Sequence, residues 1–216
     1  FVPVADALAC AAALRARFTE IMRAACPADA PLPTLSVGLG VGHYMESMGN
    51  LLELGRRAER LAKVGDGSVD LRDALAIIVH KRSGSERTWR MRWDQRPHER
   101  LADDLRWFQA GLSLRKIHEL ALTLARLPAP DALQPGDADE FCLLLGDEVR
   151  RSLSRATSSG GSTRLDLDAL AQELLAPADD YAARRRRLAA RIDQILIARA
   201  FHDATPASRR DAEVHP

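Results

Sequence analysis

Apolar residues recur along this chain at two different periods, and the change from one to the other divides it. Leu35, Val37, Leu39 and Val41 alternate with Thr34, Ser36, Gly38, Gly40 and Gly42. An extended strand over Thr34 to His43 therefore turns aliphatic side chains to one face and small residues to the other. Glycine inside a strand loses packing and costs backbone entropy, so three at alternating positions predict that something lies close against that face. A ligand, a partner domain, another backbone or a covering helix would each satisfy the pattern. The Gly-x-Gly-x-Gly string is a weak match to a phosphate loop, because its glycines sit inside the apolar alternation and not in a turn that opens a helix.

Helical spacing flanks this strand on both sides. Ala5 to Ala25 predicts a helix with Asp6 in its first turn and Leu14, Phe18, Ile21, Met22 and Ala25 in one inward stripe. Pro27 and Pro31-Leu32-Pro33 end it. A second helix runs from Ser47 or Met48 to Lys63, with Met48, Leu51, Leu52, Ala58, Leu61 and Ala62 inward and Arg56, Arg57, Glu59 and Arg60 outward. Ala74 to His80 is an unbroken apolar run of strand length, expected of a strand buried on both faces. Ser83 to Glu86 turns into Thr88 to Trp93, whose alternation predicts a half-exposed hairpin strand. Beyond Pro97 the pattern is helical throughout: 98 to 127, 138 to 155, 165 to 175 and 179 to 202, broken by Pro128-Ala129-Pro130 and by a Ser/Gly linker at 158 to 162. The expected class is α+β, with an α/β domain over 1–95 and an all-α domain over 96–216.

The composition, 46% hydrophobic and 28% charged, is that of a globular protein. A formal net charge of +1 supplies no global basic field, so any contact with nucleic acid must rest on local patches. The apolar runs fall short of a membrane span, and the expectation is a soluble, cytoplasmic protein without a membrane partner. Cys10, Cys26 and Cys142 are odd in number and widely spaced, which suits reduced, buried thiols. The opening Phe1-Val2-Pro3-Val4 has no initiator methionine and suggests a chain cut from a longer one.

No metal-ligand cluster, nucleophile elbow or Walker loop is present, so no catalytic and no metal-binding residue is assigned. His43 ends the glycine strand, where ligands bind in many α/β sheets. Lys63, one of only three lysines with Lys81 and Lys116, could reach phosphate oxygens or simply compensate the dipole of its helix end. Arg184-Arg185-Arg186-Arg187 fan around the whole circumference of a helix, so some must face solvent or a partner.

The order LSVGLGVGHY, then RAERLAK, then RDALAIIVHKRSG resembles the second half of a GGDEF or nucleotidyl-cyclase palm. More specifically, it is similar to the large palm-domain subunit of type III CRISPR effector complexes of the Cmr type, C-terminal portion. The resemblance implies a partial ferredoxin-like palm followed by a helical domain. In that family a GGDD hairpin holds Mg or Mn ions for joining ATP into cyclic oligoadenylate; no such hairpin occurs in these 216 residues. The metals would be bound outside this chain, which alone should be inactive. By resemblance Ser36 and Gly38 on the small-residue face, Lys63, and Arg72 would contact the nucleotide, although Arg72 could instead pair with Asp70 or Asp73. Implied partners are other effector subunits, including the small helical ones, and crRNA and target RNA through the complex. A non-catalytic cyclase-like module for nucleotide sensing or scaffolding is the alternative.

Overall fold

The computed structural model describes residues 1–64, 72–81, 86–109, 112–134, 136–154, 167–175 and 180–203. Two compact units emerge, one of Phe1–Ala102 joined by the chain from Ala200, the other of Asp103–Arg199. In the first, α1 (Val4–Ala25), β1 (Val37–Val41), α2 (Met48–Val64), β2 (Ala74–His80) and β3 (Glu86–Arg92) follow one another, and the start of α3 (Pro97–Gln109) comes after a 3-10 turn at Trp93–Gln95. The sheet order is β1-β2-β3. β1 is parallel to β2 with Val37 opposite Leu75, and β3 is antiparallel with Arg92 opposite Ala74. β2 is buried from Ala74 to Val79, as its unbroken apolar run requires.

The glycine face of β1 lies under α2. A Cβ built on Gly38 would stand 2.1 Å from the Glu59 amide nitrogen, and one on Gly40 2.5 Å from that of Gly55. Gly42 meets the Leu51 side chain in the same way, at 2.6 Å. The alternating glycines thus admit a helix backbone to within contact of a strand backbone. α2 meets the sheet through Leu54, Ala58 and Ala62, two of them small enough to keep that approach. Its inward stripe is accordingly rotated from the expected one: Met48 and Leu52 are exposed, and Leu54 is buried. The α2 backbone therefore covers the face at Gly38 and Gly40.

α1 departs further from expectation. Only Ala7 and Ala11 are buried, whereas Leu14 and Ile21 of its expected inward stripe are exposed. Arg15 ties it to the sheet through two hydrogen bonds to Asp73, at 3.0 and 3.3 Å, and lies 5.9 Å from the Trp93 ring centre. Trp93 in turn donates its indole N–H to the Leu35 carbonyl at 3.1 Å. Half of α1's apolar stripe has no surface to cover within the described residues.

The second unit is helical: the end of α3, then α4 (Leu114–Arg126), α5 (Asp137–Ser154), α6 (Leu167–Leu174) and most of α7 (Tyr181–Asp203). The single helix expected over 98–127 is two, α3 and α4. Leu112 donates its N–H to the Trp107 carbonyl after the first, and Ser113 stands at the N-cap position of the second without a side-chain cap bond. Ile117, Leu120, Leu145, Val149, Leu188 and Ile192 form the centre of its core. Buried Asp104 accepts from Arg191 at 2.7 Å and Gln194 at 2.6 Å, and Arg191 also reaches Glu173. Burial pushes the Asp104 carboxyl up against the pull of Arg191 and Gln194. In the arginine run, Arg184 and Arg185 donate to the carbonyls of Cys142 and Leu124, while Arg186 and Arg187 are exposed. None of the three cysteines is in a disulfide, and each is half-buried rather than buried.

Two substitutions check this packing by chemical denaturation. Gly38→Ala is expected to destabilise the protein by about 3 kcal/mol, the upper end of overpacking costs; an unchanged midpoint would mean that α2 does not rest there. Asp104→Ala is expected to cost about 3 kcal/mol by stranding Arg191 with a single partner; a loss under about 1 kcal/mol would reduce the network to surface pairing.

Candidate functional site

α2 runs antiparallel to β1, Gly42 meeting Leu51 and Gly38 meeting Glu59. That arrangement carries Lys63, at the last turn of α2, to the end of the layer where β1 begins, and Ser36 directly precedes β1. Because β2 is parallel to β1, Arg72 precedes β2 at the same end. Three of the four expected nucleotide contacts are thus brought to one end of the layer. Gly38, two residues further along the chain than Ser36, has the Glu59 amide of α2 over its face. Ser36 is half-buried and its hydroxyl has no partner among the described residues. Lys63 pairs with Glu59 at 2.5 Å, both exposed, and its ammonium holds the Glu59 carboxyl below the usual range. Arg72 is exposed; Asp73, one of its expected partners, is taken by Arg15, and Asp70 lies outside the described residues. This end receives the negative pole of the α2 dipole, which Lys63 offsets.

The opposite end is acidic. Beyond the C-terminal ends of β1 and β2, Glu46, Asn50, Glu53, Arg57, His80 and Glu86 surround a cavity of about 300 Å³. Arg57 is clamped by Glu86, Arg60 pairs with Glu53, and Asn50 donates to Glu46. Three carboxylates make it an unfavourable seat for a triphosphate. His43, the histidine marked out by its place after β1, accepts the Met45 N–H at 3.2 Å and packs on Tyr44, so its local loop accounts for it. Among the described residues no three His, Cys, Asp or Glu side chains converge to hold a metal ion. These side chains do not make a metal centre, and no step is routed through one.

What the sequence reading missed is the free edge of β1. Among the described residues β1 pairs only with β2, so its other edge presents unpaired backbone N–H and C=O groups. A groove of about 550 Å³ runs along it. Val4, Ala7 and Leu14 of α1 form one wall and Leu51, Leu52 and Gly55 of α2 the other, with Arg56 and Glu59 at the rim. The sheet's two edges differ in charge. β3 carries Glu86, Arg87, Arg90 and Arg92, the charged residues that keep an edge from pairing, whereas β1 is Val-Gly-Leu-Gly-Val with none. The contrast was present in the sequence, and so were the aliphatics of α1 that this chain leaves uncovered.

A three-stranded mixed sheet with helices, continuing into helical structure, makes this an α+β protein. Residues 1–76, which span α1, β1, α2 and the first residues of β2, match the family model described as Cas10/Cmr2, second palm domain. That part of the chain is similar to the palm of a Cas10-type subunit. No curated protein matches the chain. No described helix is long and apolar enough to cross a membrane.

Because Lys63 and Glu59 are both exposed, Lys63→Ala is expected to change the free energy of unfolding by less than about 0.5 kcal/mol. A loss above about 1 kcal/mol in urea titrations would assign Lys63 a structural role.

Proposed function

We propose that this chain is the C-terminal portion of a type III CRISPR effector large subunit, supplying half of its second palm and the helical domain that follows. The intact subunit would join ATP into cyclic oligoadenylate when target RNA binds, as part of a cytoplasmic antiviral ribonucleoprotein. Its Mg or Mn ions would be held by aspartates outside this chain, which alone should make no product. The observation that carries this reading is the uncharged free edge of β1. A parallel-paired strand of five apolar or glycine residues, grooved between two helices, suits an inner strand, and the similarity of residues 1–76 to a Cas10/Cmr2 palm supports a larger sheet around it. Ser36, Lys63 and Arg72 would then stand at the end of the completed sheet as supporting contacts. The Lys63–Glu59 pair is exposed enough for phosphate oxygens to displace the carboxylate. The helical unit would face other effector subunits, the small helical ones included, and crRNA and target RNA through them.

Hydrogen exchange tests the edge. The outward amides of Val37–Val41 are expected to exchange at least about tenfold more slowly in the full-length subunit than in this chain alone. Equal rates in the two would refute the reading. In the same subunit, Lys63→Ala should lower ATP consumption without lowering the melting midpoint; unchanged kinetics would remove Lys63 from the nucleotide site.

A further inference from the structure

Gly55 is a glycine that nothing in the described part of this chain accounts for. It lies in the interior of α2, where glycine weakens a helix relative to alanine. Its backbone nitrogen touches the face of Gly40, but that contact excludes a side chain on Gly40, not on Gly55. A Cβ built on Gly55 meets no atom within 4 Å. The vacancy opens into the groove along β1, between Leu51 and Leu52 on its own helix and across from Val4 and Leu14 of α1.

The geometry points to Gly55 as the seat for a large apolar side chain on the strand that pairs with β1. This deepens the proposed function and rests on it. The occupant is a strand because only extended backbone satisfies a row of alternating N–H and C=O groups at strand spacing. Its side chain there is apolar because most of the groove lining is aliphatic, Val4, Leu14, Leu39, Val41, Leu51 and Leu52, with Arg56 and Glu59 as the charged members. An alanine at 55 would narrow the seat, and a leucine would fill it with this chain's own side chain. Gly55 is thus a specificity-determining position: it selects a partner strand with bulk at one register and excludes slipped pairings.

Gly55→Ala and Gly55→Leu test the assignment in two settings. In this chain alone, both are expected to keep or raise the melting midpoint, since the added atoms enter open space and improve the helix. A lowered midpoint would show that the space is already used and would overturn the proposal. In the full-length subunit, Gly55→Leu is expected to speed exchange of the outward Val37–Val41 amides at least about tenfold over wild type, with Gly55→Ala between them. Wild-type protection that Gly55→Leu leaves unchanged would overturn the role of Gly55 while sparing the proposed function. Absence of protection in the wild-type subunit would overturn both. A concentration-dependent dimer of the wild-type chain, abolished by Gly55→Leu in sedimentation, would give the seat to a second copy and overturn the assignment to a partner strand.

Discussion

The backbone of α2 rests directly on the backbone of β1, and the first unit is organised by that contact. Side chains normally hold a helix away from a sheet; here the floor is Gly38 and Gly40 and the helix meets it through Ala58, Gly55 and the Glu59 amide. Close approach strengthens dispersion contacts and excludes water, at the cost of any tolerance for a methyl group on the strand. It also fixes the direction of everything attached. Ser36, Lys63 and Arg72 fall at one end of the layer, the acidic cavity at the other, and the groove along the edge of β1 between α1 and α2.

With the face of β1 closed, the surface left for another molecule is its edge. Two properties distinguish that edge from the opposite one. β1 lacks the charges that β3 carries at the opposite edge, and exposed Leu14 of α1 lines the groove along it. A sheet that guards one edge and leaves the other bare is a sheet made to be extended on the bare side. Residues 1–76, which contain β1 and both helices that flank its edge, are the part of the chain similar to a Cas10/Cmr2 second palm domain. The helical unit is held by its own means, an aliphatic core and a buried Asp104–Arg191–Gln194 network, and serves here as a separately packed body.

Much of this was legible in the chain and some was not, for identifiable reasons. Ala74 to His80 could be read as a buried strand because an unbroken aliphatic run of seven has few other uses. The alternation around Gly38 gave a two-faced strand, but glycine records only that something is close, not what; a nucleotide and a helix backbone leave the same trace in sequence. The helical stripe of α1 was real in its spacing, yet burial depends on a surface to bury against, and Leu14 finds none among the described residues. The break between α3 and α4 was hidden by an apolar period that continues from one helix into the next. Lys63 remained ambiguous because phosphate binding and dipole compensation ask for the same charge at the same helix end. Gly55 was invisible for the opposite reason, since a lone glycine in a helical pattern reads as a tolerated defect until the space beside it is known.

Proton–proton distances across the α2–β1 contact test the account at its root. Strong nuclear Overhauser cross-peaks are expected between the Hα protons of Gly38 and the amide protons of Ala58 and Glu59, and between those of Gly40 and the amide of Gly55. Their absence would mean that the face of β1 stands open, and the edge would lose its claim to be the surface that matters.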